Sequence, residues 1–245
     1  MAQLYPVAGA RFFMGPAVTV VPDDPDVNAA LFASTAWTEV KGWQTMGSVG
    51  DSATLISEDI INSGRTLKAK GTKNAGSMQN NFIVQPYDEG QEMLIAAANS
   101  SANYQFRILF DDAPPAAASV VTITVASPGV ISWASHGRQN GDPIKFSTTG
   151  ALPTGLVADT TYYVVSAAAG TFSVAATPGG AAIATTGTQS GVHTATAVTA
   201  PTTKYFYGIV MSSQEQGGGA NTARLISGTV EINSPVITVA PVGGA

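Results

Sequence analysis

Tyr104-Gln105-Phe106-Arg107-Ile108-Leu109-Phe110 is the stretch from which the rest of the chain can be read. Tyr104, Phe106, Ile108 and Phe110 alternate with Gln105, Arg107 and Leu109, the two-residue period of a strand that buries one face. The same alternation returns downstream at Tyr205, Tyr207, Ile209 and Met211. The two segments read as partners in one antiparallel hairpin, with everything between them inserted.

The insert announces its own limits. Asp111-Asp112-Ala113-Pro114-Pro115 stands on one side and Ala200-Pro201 on the other. Proline fixes φ and removes an N–H, so such clusters read as linkers. Between Ala116 and Ala200 only Arg138, Asp142, Lys145 and Asp159 are charged. The reading is a discontinuous domain, 1–113 and 202–245, interrupted by a module at 114–201. Loop tips tolerate such insertions, because closure entropy grows slowly with loop length.

Both parts read as β. In the flanking domain, strands are expected near 11–20 and at 53–61, 65–72, 81–85 and 222–232. In the last of these Ile226, Val230 and Ile232 share a face, and Gly228 marks a bulge or a close approach. One helix is expected, Glu89–Asn99. Asp88 with Gln91 has capping-box spacing, and Met93, Leu94, Ala97 and Ala98 form an apolar stripe. In the module, short strands at 121–125, 130–133, 143–147, 161–166 and 171–175 are separated by Pro-Gly, Asn-Gly and Gly-Gly turns. The fold class is therefore mainly β: a sandwich or barrel with a single helix, carrying a small all-β module, immunoglobulin-like or barrel-like.

Composition narrows the chemistry. The chain has 245 residues, 44% hydrophobic and only 11% charged, with a formal net charge of −5. No apolar run approaches the ~20 residues of a spanning helix, and no membrane insertion and no cleaved secretory signal are expected. The absence of cysteine excludes disulfides, thiol nucleophiles and cysteine-held metals. An acidic chain makes a poor tight binder of nucleic acid. No nucleophile elbow, zinc-protease helix, phosphate loop or dinucleotide fingerprint is present. No enzyme activity, cofactor or metal is expected. His136 reads as a surface turn residue and His193 as a strand residue with an ordinary partner. Asp23-Asp24-Pro25-Asp26 lacks the spaced ligands of a calcium loop and reads as solvated.

The most suggestive polar feature is basic. Arg65, Lys68, Lys70 and Lys73 fall in a segment, 64–80, that reads as a hairpin. Lys68 and Lys70 share a strand face with Thr66 and Thr72. Three readings stay open: lysines that discourage foreign strand pairing, contact with an acidic neighbouring subunit, and DNA binding.

The order of features in the flanking domain resembles a known pattern. It runs Trp37-Thr38-Glu39-Val40, Gly47, the strand at 54–61, then Lys70-Gly71-Thr72-Lys73-Asn74-Ala75-Gly76-Ser77. Pro86-Tyr87-Asp88-Glu89-Gly90 leads the sole helix; Phe206-Tyr207-Gly208-Ile209-Val210 and Ile232-Asn233-Ser234-Pro235 follow the insert. Over roughly 37–112 and 204–240 this resembles the major tail tube proteins of long-tailed, lambda-like bacteriophages. In that family an extra immunoglobulin-like domain sits at the C-terminus rather than inside the last hairpin. The module itself resembles small β modules of phage tail and virion proteins.

The resemblance implies a structural virion protein made in the host cytoplasm and built into the tail. Hexameric rings would stack into a tube, with a tape measure protein inside it and tail terminator and tail-tip proteins at its ends. Double-stranded DNA would pass through transiently during ejection. About four strands from each of six subunits at ~4.8 Å give a circumference near ~115 Å, enough for a duplex. On this reading Lys68, Lys70 and Lys73 are candidates for contact between subunits. The lumen would be lined by the polar face of strands in 45–72 and 222–232, whose other face feeds the core. Glu231 and one of Glu58 or Asp59 are then the candidate lumen acids, since adjacent strand residues face opposite ways. The module would project outward. A different reading keeps the module as a receptor- or glycan-binding unit displayed on a β scaffold.

Overall fold

The computed structural model describes residues 4–243. It is mainly β, with one helix, and divides into two compact units. The first comprises residues up to Phe110 together with Thr203–Val239; the second comprises Asp111–Thr202 together with the segment from Ala240.

In chain order the first unit opens with β1 (Arg11–Val18), two 3₁₀ turns at Asp24–Asp26 and Ala29–Phe32, β2 (Thr38–Glu39) and β3 (Trp43–Thr45). Next come β4 (Ser52–Glu58), β5 (Leu67–Asn74), β6 (Ser77–Ile83), α1 (Glu89–Ala98) and β7 (Asn103–Leu109). The second unit contributes β8 (Ala118–Ile123), β9 (Ile131–Ser132), β10 (Pro143–Thr148), β11 (Thr161–Val165), β12 (Thr171–Ala175) and β13 (His193–Ala197). The chain then returns through β14 (Thr203–Gln216), β15 (Leu225–Ile232) and β16 (Ile237–Val239).

The main sheet of the first unit is antiparallel, in the order β2-β1-β7-β14-β15-β6-β3, with β16 beside the start of β14. β7 and β14 pair as the sequence indicates, Leu109 opposite Thr203 and Phe106 opposite Phe206. Their faces differ from the expectation. Phe206 and Val210, not Tyr205 and Tyr207, join the main core with Phe12, Phe82, Phe106 and Ile226. Tyr205 and Tyr207 face the other way, where residues 18–37 cross the sheet and stack Phe32 on Tyr205 at 5.0 Å. Arg107 lies on that second face too, its guanidinium 4.0 Å over the Phe13 ring and 5.0 Å from that of Trp37. Burial lowers its pKa. Aromatic residues at every position of Tyr205-Phe206-Tyr207 thus serve two cores, and period alone cannot rank them.

The helix closes the main core. Asp88 Oδ1 accepts the Gln91 N–H at 3.0 Å, which is half of a capping box. The reciprocal half is absent, because the Gln91 side chain is used elsewhere. Its Oε1 accepts from Gln85 N–H, and its Nε2 donates to Lys41 O and Ile83 O. Leu94 and Ala97 are buried against the sheet. Gly228 lets the helix come close: a Cβ there would lie 3.2 Å from Leu94 Cδ2. The bulge is in the neighbouring strand, between Val210 and Ser212.

The second unit is a closed six-stranded barrel, β10-β11-β12-β9-β8-β13, filled by Ile131, Ile144, Phe146, Val164 and Phe172. His136 is buried, correcting the surface assignment. Its Nδ1 accepts Arg138 N–H at 2.8 Å, which leaves Nε2–H to donate to Ala168 O at 2.7 Å. His193 opens β13, between the Thr148 hydroxyl and the Gln189 amide oxygen. Asp112 accepts both the N–H and the hydroxyl of Thr202, clasping the two ends of the unit. The tail differs from the sequence reading: Val242 pairs with Ala200, and Gly243 O accepts from the buried Arg138. Residues 240–243 therefore belong with the barrel rather than with the flanks.

Each unit has its own core, and the first unit's chain ends, Leu109 and Thr203, are register partners. Removal of 116–200, with a short Gly-Ser join between Pro115 and Pro201, is therefore expected to leave a soluble first unit with one cooperative unfolding transition. Circular dichroism melting checks this; an unfolded product would place the boundary elsewhere.

Candidate functional site

β4 and β5 form a two-stranded ribbon apart from the main sheet. The hairpin thus spans 52–74, and the residues from Ser77 onward belong to β6 inside the sheet; both differ from the 64–80 reading. Every residue of β4 and β5 is exposed except Gly71, which is half-buried. The expectation that strands in 45–72 back onto the core is corrected here, since neither face of the ribbon has a core behind it.

Register sorts the ribbon into two unlike faces, because residues directly opposite point the same way. Leu55 is opposite Lys70 and Ser57 opposite Lys68, while Ile56 is opposite Ala69 and Glu58 opposite Leu67. Lys73, three residues from Lys70, would fall out of phase. The ladder slips between Ala53 and Leu55, taking one extra residue in β5, and Lys73 comes opposite Ala53. The bulge therefore gathers Lys68, Lys70 and Lys73 on one face with Ala53, Leu55 and Ser57. Lys73, rather than Thr72, accompanies the other two lysines. The second face holds Ile56, Leu67, Ala69 and Gly71, with Glu58 at its end. Ile60 and Ile61 lie exposed in the connecting turn.

At the ribbon's root a cavity of about 570 Å³ is lined by Asp24, Asp51, Lys73, Asn74 and Ser234. Asp24 comes from the acidic loop at 23–26, so that loop approaches the basic ribbon within one chain. A second cavity, about 560 Å³, runs along Ser52–Leu55 beside Ala69, Lys70 and Gly71.

The main sheet supplies two more surfaces. Glu231 sits on the face of β15 turned away from the core, opposite Ser77 and Ile209. Its neighbours on that face are Thr229 with Gln79 and Ser212, then Ser227 with Asn81 and Gln214. Residues 18–37 cover the β1, β7 and β14 part of this face. Apart from Ile209, the wall around Glu231 is polar. Glu58 and Asp59 are not part of it; they sit where the ribbon turns. Separately, β7 pairs with β14 only as far as Tyr104 opposite Gly208. Residues 209–216 of β14 have no strand on that side among the described residues, and Met211 is exposed there.

Among the described residues no three His, Asp or Glu side chains come together to hold a metal ion. No helix among them is long and apolar enough to cross a membrane. Neither a protein-family model nor a curated protein sequence matches the chain.

The two kinds of apolar side chain are expected to respond oppositely. Phe106→Ala removes a fully buried ring from the core and costs about 3–5 kcal/mol. Ile56→Ser with Leu67→Ser changes only the exposed ribbon and stays within about 0.5 kcal/mol. Urea unfolding of the monomer measures both; a large loss from the ribbon pair would mean that the ribbon packs on its own chain.

Proposed function

We propose that this chain is a structural subunit of a phage tail tube, assembling into rings that stack around a DNA channel. The observation that carries the reading is the ribbon. An isolated two-stranded hairpin is marginal in water, and this one presents Ile56, Leu67 and Ala69 on one face and three lysines around Leu55 on the other, with no core of its own chain behind either. Such a surface is completed by a partner, and self-association supplies one.

Two further features support it. The free edge of β14 at 209–216 carries no proline and no lysine, the usual guards against foreign strands. Its one acid, Glu215, is held by Arg224. Lateral pairing of copies would cover that edge. The wall of Ser, Thr, Gln and Asn around Glu231 suits a channel surface. Phosphates carry one charge per ~1.7 Å of duplex, and a polar wall bearing carboxylates has no cations with which to hold them. The net charge of −5 resides in the flanking sequence, because the four charges between Ala116 and Ala200 cancel.

On this reading Lys68, Lys70 and Lys73 hold copies together, and Glu231 faces the channel. Replacing the three lysines together by glutamate is expected to abolish tubes in negative-stain images while the monomer melts as wild type does. Tubes of normal length from the triple variant would overturn the assignment.

A further inference from the structure

The ribbon needs a receiving surface, and one residue at the far end of β6 has the properties of its anchor. Tyr87 is 96% exposed and has φ +67°. The left-handed region disfavours a bulky side chain, and a residue held there outside glycine is a mark of strain kept for a purpose. Here the strain gains the monomer no ring burial. The turn that holds it is firm on both sides. Asp88 N–H donates to Gln85 O at 3.3 Å, and the Asp88 carboxylate accepts Lys41 N–H at 3.2 Å and caps α1. The backbone of the turn is thereby held while the Tyr87 ring stands in solvent, and Pro86 before it is exposed as well.

The surroundings match the ribbon in charge as well. Glu89 and Glu92 occupy the first turn of α1 and are exposed. No salt bridge among the described residues uses either. The last turn of the helix carries no base. Exposed Tyr87 is thus followed closely in sequence by two acids that no salt bridge among the described residues uses, while Lys41 pairs with Asp88 at the same turn. The ribbon offers the converse on a single face, where Lys68, Lys70 and Lys73 surround the exposed Leu55. The two surfaces leave β6 at opposite ends, the ribbon before Ser77 and Tyr87 after Ile83. A contact between unlike patches at opposite ends of one strand is head-to-tail, the kind that continues from copy to copy.

We infer that Tyr87, with Glu89 and Glu92, forms the seat for the β4–β5 ribbon of a second copy of this chain. Tyr87 is the buried aromatic anchor of that contact, packed against Leu55, and the glutamates meet the lysines of the same ribbon face. This rests on the self-assembling reading above and names the partner surface within it.

The test separates fold from assembly through Tyr87→Gly. Glycine relieves the positive φ, so the monomer is expected to melt at or above the wild-type temperature. Loss of the aromatic anchor is expected to raise the critical concentration for assembly at least about tenfold in sedimentation of the full chain. Glu89→Lys with Glu92→Lys is expected to block assembly as well. Adding Lys68→Glu and Lys70→Glu to that variant is expected to restore it. If wild type assembles and Tyr87→Gly assembles equally well, the seat is elsewhere and the tube reading stands. If the charge reversals block assembly and the combined variant does not recover, the glutamate–lysine pairing is wrong. If wild type itself remains monomeric at all concentrations, the tube reading and the seat fall together.

Discussion

Register across one sheet governs this structure. Phe106 stands directly opposite Phe206, their rings stacked at 5.3 Å, and Phe12 touches Phe82 and Phe106 at 5.8 and 5.6 Å. These rings come from β1, β6, β7 and β14, so together they lock four strands in phase. A slip of one residue would exchange the faces of every strand involved. The phase decides that Glu231, Thr229 and Ser227 stand on the polar wall while Ile226, Val230 and Ile232 stand in the core. It also fixes the two ends of β6 from which the ribbon and the Tyr87 turn depart.

That locked sheet gives the ribbon its character. β6 is held on one side by β15 and on the other by β3, with Asn80 Oδ1 accepting from Trp43 Nε1 and Gly47 N–H. The chain before Ser77 leaves this anchored strand through Gly76, whose φ of +71° turns it away, and runs back into the ribbon. A rigid root and an exposed arm suit a group that docks into something else, because little ordering at the root remains to be done on binding. The cost is an exposed apolar face, which makes concentration the variable that controls association.

Much of this was legible in the sequence. Alternation in 104–110 and the prolines at 114, 115 and 201 marked the sheet and the insertion point, and Asp88 marked the helix start. The ribbon's chemistry was legible as lysines at 68, 70 and 73, but its phase was not. The bulge that brings Lys73 into line depends on pairing with β4, which one strand's sequence does not contain. Tyr205-Phe206-Tyr207 offered aromatic residues to both faces, so period could not tell the main core from the smaller one under residues 18–37. His136 was misplaced because its partners, Ala168 O and Arg138 N–H, are backbone groups that leave no motif. Tyr87 gave no signal at all, since a positive φ on tyrosine is imposed by the turn around it.

Self-association through the ribbon is tested most directly by the state of the ribbon before and after it. Hydrogen–deuterium exchange of the amides in 52–58 and 67–74, followed from dilute to concentrated protein, reads that state. Fast exchange is expected in the monomer, with strong protection that rises together with assembled mass. Amides already protected at the lowest concentration, or still exchanging freely in assembled material, would contradict it.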